Sequence, residues 1–263
     1  MNNLGTVESL WRYPVKSMRG EQLDTAFAGF SGIYGDRIFA FHDAGAPAGF
    51  PYLTAREQEQ MLLFRPSFRD PQRAARPDNQ KEAEALGPGV TAVYADTADL
   101  TVAVQTPEGQ SLPIDDPALL QRLREGLVAR HQLRLLRSQR SMTDCRPVSL
   151  FSLRTARQIG DDIGASLDKR RFRANIYLNL NAEDAFSENQ FVGHTIGIGD
   201  KVVLAIIDRD PRCKMITLDP DTAEPNPDVM KRVARAYDGK AGIYAAVLVE
   251  GTIRSGDEIR LLN

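Results

Sequence analysis

Arg212-Cys213-Lys214 places one thiol between two cations, directly after an apolar strand pattern at Val202 to Ile207. The surrounding stretch, Ile207 to Pro220, holds no other cysteine. Thiolate is the reactive and metal-binding form of cysteine, and neighbouring positive charge favours it. It is also a soft ligand, suited to soft or highly charged metals. A free cysteine is equally among the residues most often buried as a small hydrophobe. The local sequence leaves both readings open.

Other stretches carry groups that could meet such a thiol. Tyr13-Pro14-Val15-Lys16-Ser17 joins a lysine and a hydroxyl at a proline turn, a reasonable phosphate or carboxylate contact, although an isolated Lys-Ser is more often a solvated turn. Arg37 follows a Gly35-Asp36 turn and opens a strand pattern running to His42. Its fork could take an oxyanion or hold Asp36 or Asp43. Arg171, Arg173 and Asn175 alternate ahead of Ile176 and Leu178, so strand spacing puts the three on one side. A guanidinium buried there would need an anionic partner, from the protein or from a ligand. Ser152 caps a helix running to Ile163, with Thr155 in its first turn. Exposed N–H groups at a helix start favour anions.

The elements that must position these groups are mostly short strands. Strand character recurs at Leu4 to Tyr13, at Leu62 to Arg65 after a short helix from Leu53, from Val90 to Gln105, and in a short run to Ile114 after a turn at 107–110. Residues 68–89 are rich in Pro, Arg, Asp and Glu and are expected to form an exposed loop. Asp116-Pro117 opens a helix with Leu119, Leu120, Leu123 and Leu127 on one face, and marks a domain junction. Beyond it the pattern predicts strands at Leu133 to Leu136, Val148 to Phe151, Ile176 to Leu178 and Tyr244 to Val249. A turn-rich passage falls at 193–199. A helix is expected over Asp228 to Tyr237, with Val229, Val233, Ala234 and Tyr237 inward, and a hairpin-like finish over 251–262. The expectation is a mainly β chain with some α: a β-rich domain over residues 1–116 and a second domain over 117–263.

With 263 residues, 42% apolar and 26% charged, a packed core is within reach. The net charge of -2 gives no global field for nucleic acid or an acidic membrane, so any anion site must be built locally. Two cysteines, Cys145 and Cys213, exclude a disulfide scaffold and a four-thiolate iron–sulfur cluster, and read as cytoplasmic. The opening residues lack a signal-peptide pattern, and no apolar run reaches the roughly 20 residues of a membrane helix. His42, His131 and His194 have no ligand spacing. GxGxxG after a strand, a Walker loop, HExxH and GxSxG are all missing.

In order and spacing, Tyr13 to Ser17, Gly32 to Arg37, Arg171 to Ile176, Arg212-Cys213 with Thr217 and Asp219-Pro220, and Gly251 to Asp257 together resemble the MOSC family. That family is named for the C-terminal domain of molybdenum-cofactor sulfurase. The first domain resembles the β-barrel that precedes MOSC. The resemblance implies a MOSC β-barrel with flanking helices and a molybdopterin-bound molybdenum atom, with Cys213 as metal ligand and catalytic residue. Lys16, Ser17, Arg37, Thr155, Arg173, Asn175 and Arg212 would hold the pterin and its phosphate. Ala174, where relatives often have proline, should cost only rigidity. Pro211, where serine is common, removes a hydroxyl and an N–H. Similar proteins, the mitochondrial amidoxime-reducing component and bacterial counterparts, reduce N-hydroxylated compounds. The implied activity is such a reduction, with electrons from a separate donor protein and no nucleic-acid or membrane partner. The alternative is a carrier of the cofactor, or of sulfur as a persulfide on Cys213.

Overall fold

The first strand, β1 (Asn3–Arg12), buries Val7 and Leu10 and is long enough to pair along both edges, in a computed structural model that describes residues 3–47, 49–87, 95–128 and 131–262. The chain then runs through β2 (Glu21–Leu23), β3 (Thr25–Gly29), β4 (Gly32–Ile33), β5 (Phe39–Asp43) and β6 (Arg65–Phe68). A short helix α1 (Gln80–Ala85), β7 (Val102–Gln105), β8 (Ser111–Pro113), helix α2 (Pro117–Arg124) and β9 (Leu133–Arg137) follow. The rest comprises β10 (Val148–Ser152), α3 (Leu153–Asp162), β11 (Ile176–Leu180), β12 (Thr195–Ile198), β13 (Val202–Pro211), α4 (Pro227–Ala236), β14 (Lys240–Val249), β15 (Gly251–Arg254) and β16 (Glu258–Leu261).

Seven strands close into a barrel in the order β1-β11-β10-β14-β13-β12-β16, and β16 pairs back onto β1. Only β10 and β11 run parallel; the other barrel neighbours are antiparallel. Inward residues such as Val7, Leu10, Leu150, Leu178, Ile196, Leu204 and Ile243 fill the interior, each burial contributing about 1.5–3 kcal/mol. A second core lies under β5 to β9 and α2, and takes in Leu218 from far along the chain. A third joins α3 and α4 to the barrel through Phe151, Phe172, Ile216 and Val233. Among the described residues no helix is long and apolar enough to cross a membrane.

The mainly β expectation holds, and both caps do too. Asp116 accepts from Ala118 N and Ser152 from Arg154 N, at 2.8 and 3.2 Å. Several details differ. Residues Glu59–Leu63 form a 3-10 turn, and strand begins only at Arg65. Residues 68–87 are not simply exposed: Phe68, Ala74 and Ala83 are buried. The start of the strand run at Val90 lies outside the described residues. The passage 193–199 contains β12, and Ala234 is exposed rather than inward. The final strands do not pair with each other: β15 joins β3, while β16 joins β1 and β12. Finally, Lys169–Phe172 is a 3-10 turn ended by Arg173 in left-handed backbone (φ 52°), so no strand alternation relates Arg171, Arg173 and Asn175.

Candidate cofactor site

A solvent-open cavity lies between the barrel and the N-terminal strands. Lys16, Ser17, Arg37, Arg173, Asn175, Arg212 and Cys213 all line it. Their positions come from turns rather than regular elements. Ser17, Arg37 and Arg173 have left-handed backbone, at φ 66°, 49° and 52°. Three non-glycine residues in that region around one cavity is a costly arrangement that the surrounding packing must hold.

Tyr13, the last apolar residue before the Pro14 turn, organises two of the arginines. Its ring is flanked by the Arg37 and Arg173 guanidinium groups, 4.5 and 4.3 Å from the centroid. Arg37 bonds the buried Asp36 at 2.5 Å and donates to the Arg173 carbonyl at 3.2 Å. Burial works against the Arg37 charge, but Asp36 outweighs it and holds its pKa above the ordinary value. At Arg173 burial prevails over the pull of Tyr13 and Asp36 and pushes the pKa down to about 10. Lys16 is buried, donates to the Met142 carbonyl at 2.8 Å and pairs with Asp144. Burial lowers its pKa against the pull of Asp144. Burial would raise Asp144, yet Lys16 outweighs it and keeps that carboxyl below the ordinary range. The two remain an ion pair. Asn175 bridges β10 and β1, accepting from Ser149 N at 3.2 Å and donating to the Trp11 carbonyl at 3.3 Å.

Cys213 caps the 3-10 turn Lys214–Thr217 and is partly exposed, so it is not a sealed core residue. Arg212 beside it donates to the Ala241 and Phe172 carbonyls at 2.7 and 2.8 Å. Its Nη2 lies 2.8 Å from Asp210 Oδ2 but without hydrogen-bond alignment. Lys214 points away, to Glu59 at 2.8 Å and the Arg56 carbonyl at 3.0 Å, so the expected two-sided cationic flank reduces to Arg212.

The expectation for Thr155 is corrected. It is fully buried, donates to Glu188 Oε2 at 2.9 Å and accepts from Phe186 N at 2.8 Å, and does not line the cavity. Sequence reasoning in turn passed over Arg56, Asp144, Arg146, Asp210 and Tyr244, which do line it. Asp144 and Arg146 sit in the loop that leads into β10, whose Ser149 also lines the cavity. That loop position was the available signal.

Among the described residues, three buried guanidinium nitrogens of arginines lining this cavity, Arg171 Nε, Arg173 Nη2 and Arg212 Nη2, have no aligned hydrogen-bond acceptor, although Arg212 Nη2 is ion-paired with Asp210. A buried unsatisfied donor costs about 1–3 kcal/mol. The arginines that carry these nitrogens line the cavity with Lys16 and Arg37, a cationic lining suited to an oxyanion, and the Cys213 sulfur stands at its wall. This donor set fits a phosphate-bearing metal cofactor.

Family profiles account for the chain in two pieces. The MOSC domain matches residues 137–260, and the MOSC N-terminal beta barrel domain matches residues 4–118. The chain belongs to the MOSC family. MOSC proteins are associated with molybdenum-cofactor binding and with sulfurase and oxidoreductase roles. Among solved structures, the YUAD protein from Bacillus subtilis is similar over 97% of this chain and 93% of its own, at 14% identity and a TM-score of 0.47. YiiM from Geobacillus stearothermophilus aligns with 45% of this chain and 55% of its own, at 18% identity and a TM-score of 0.35. YiiM from Escherichia coli aligns over the same shares at 13% identity and a TM-score of 0.31. No protein of curated function matches the chain.

Proposed function

We propose that this MOSC chain is a molybdenum-cofactor-binding oxidoreductase that reduces N-hydroxylated or related N–O compounds with electrons from a separate donor protein. The observation that carries the reading is the convergence of Cys213 with Lys16, Arg37, Arg173 and Arg212 on one cavity, where Arg173 Nη2 has no hydrogen-bond acceptor among the described residues. Among the described residues no group of three or more His, Cys, Asp or Glu could hold a metal ion. A metal at Cys213 would therefore draw its other ligands from the molecule that carries it. The bound cofactor would supply the metal's two-electron chemistry.

The chain's own residues have separable parts. Cys213 would give its sulfur to the metal as a soft ligand. Arg173 and Arg37, stacked on Tyr13, present fixed forks suited to phosphate oxygens. Lys16 adds a point charge, and Ser17 and Asn175 offer neutral hydrogen bonds. The alternative, a carrier that holds cofactor or a Cys213 persulfide without turnover, uses the same residues.

Protein expressed in a cofactor-competent host is expected to contain close to one molybdenum per chain and to reduce an N-hydroxylated test compound with an artificial donor. Cys213→Ala should abolish turnover. Wild-type activity in that variant would refute the assigned role. Intact-mass detection of a persulfide on metal-free protein would favour the carrier.

A further inference from the structure

We propose that the cavity takes up a proton with its anion: when an anionic ligand binds beside Arg212, the Asp210 carboxyl becomes protonated and keeps that proton on the Cys213 wall. The proposal deepens the function above and rests on its reading of the cavity as an anion site.

The backbone places Asp210 there deliberately. Along β13, Arg209 is opposite Ile243 but Pro211 is opposite Lys240, so β14 carries an extra residue and the ladder is bulged. Bulges re-aim side chains. Here Asp208 and Pro211 stay exposed, while Asp210 turns inward and is 2% exposed. Of the two aspartates around Arg209, only one faces the cavity.

Four groups from four places act on that carboxyl. Arg212, from its own segment, attracts it, and Tyr244 on β14 hydrogen-bonds to it. Asp144, from the loop before β10, repels it, and Arg37, from the turn before β5, attracts it. Cys145, beside Asp144, also feels Asp210. Burial is the largest influence and pushes Asp210 up to about 6, against Arg212 and Tyr244. The carboxyl is thus ionised near neutral pH but close to titrating.

An incoming anion changes both sides of that balance. It competes for Arg212, whose Nη2 is near Asp210 without being aligned to it. It also sets a second negative charge beside a buried carboxylate, which disfavours ionisation. Protonated, Asp210 changes from an acceptor only to a donor and can bond the anion it would otherwise repel. Reducing an N-hydroxyl group to an amine and water consumes two electrons and two protons. The donor protein supplies the electrons, and Asp210 holds one of the protons where the anion sits.

The test uses the cofactor-free full chain and sulfate, which stays a dianion from pH 5 to 8. Calorimetric titration in two buffers of different ionisation enthalpy counts protons directly. At pH 7 wild type should take up more than half a proton per sulfate, and its affinity should fall severalfold between pH 6.5 and 7.5. Asp210→Asn should bind with no uptake, at wild-type affinity or tighter at pH 7.5, and with a flat pH profile. Tyr244→Phe removes a hydrogen bond to the carboxylate and should reduce the uptake at pH 7. Asp208→Asn, altering the exposed neighbour, should behave as wild type. Sulfate binding by wild type without uptake, or uptake that persists in Asp210→Asn, overturns the proposal alone. No sulfate binding at all overturns the anion site, and with it the cofactor reading.

Discussion

Arg212 reaches the cavity across the one residue of β14 that has no side chain. Gly242 adopts φ 78°, and a Cβ there would stand 2.6 Å from the Phe151 ring, 2.8 Å from the Leu150 carbonyl and 3.0 Å from Arg212 Nη2. Two of those neighbours are a buried ring and backbone, which cannot yield cheaply. Gly242→Ala should therefore lose roughly 2–4 kcal/mol, from the left-handed conformation and the overpacking together. Urea unfolding measures the loss, and molybdenum content should fall with it because Arg212 is displaced. An unchanged midpoint would contradict this account. Residue types explain why Cys213, Lys16, Arg37 and Arg173 were legible in the sequence: a thiol beside cations, and charges at turns, advertise chemistry. Thr155 misled because its local setting, a helix start, suits anions, whereas its partner Glu188 lies 33 residues away. Asp210 gave no signal because a bulge, invisible in the one-dimensional pattern, selects it over Asp208.

The 3-10 turn Lys169–Phe172 is the element on which the arginine side of the site depends. Asp168 caps it, accepting from Arg170 N at 2.7 Å, and also binds the Arg170 side chain. The turn closes with Arg173 in left-handed backbone and so aims its guanidinium at the cavity. Asp168→Ala should cost about 1 kcal/mol, as for other lost caps, and should weaken cofactor retention because Arg173 loses its fixed approach. The pH dependence has a definite sign. Burial works to raise the Asp168 carboxyl, but bonds from Arg170 prevail and hold it below the ordinary range. Its contribution is therefore complete above the unfolded carboxyl range and disappears as pH falls through the lowered folded value. Thermal melts of wild type and variant should converge in acid and separate near neutrality; a constant difference would refute the assignment. The same turn shows why strand alternation failed as a guide here. Arg171, Arg173 and Asn175, at every second position, imitate a strand edge, but the Asp168 cap and one left-handed residue redirect the two arginines separately. Arg171 goes to Asp219 and the Thr217 carbonyl, while Arg173 stacks on Tyr13.

At the scale of the whole molecule, the two stretches that match separate family profiles share one barrel. β1, from the first stretch, pairs with β11 through Gly5 to Leu10 and with β16 through Asn3 to Thr6. It also adds Val7 and Leu10 to the barrel core. β15 near the chain's end pairs with β3. Individual strands and helices were legible because each depends on local periodicity and caps. Closure was not, because β1 and β11 are joined by hydrogen bonds across more than half the chain, and no local pattern encodes that pairing. A fragment of residues 117–263 should consequently fail to fold as a unit. Without β1, the facing edges of β11 and β16 are left open, and open edges recruit other chains. Two buried apolar side chains are lost as well, together worth about 3–6 kcal/mol, comparable with the stability of an ordinary domain. The fragment is expected to bind a hydrophobic dye, aggregate as concentration rises and unfold without a sharp transition, whereas the full chain should unfold cooperatively. Dispersed amide resonances and a cooperative transition in the isolated fragment would show that the barrel closes without β1. The site would then have to be regarded as an interface between two independent units, rather than the consequence of one shared barrel.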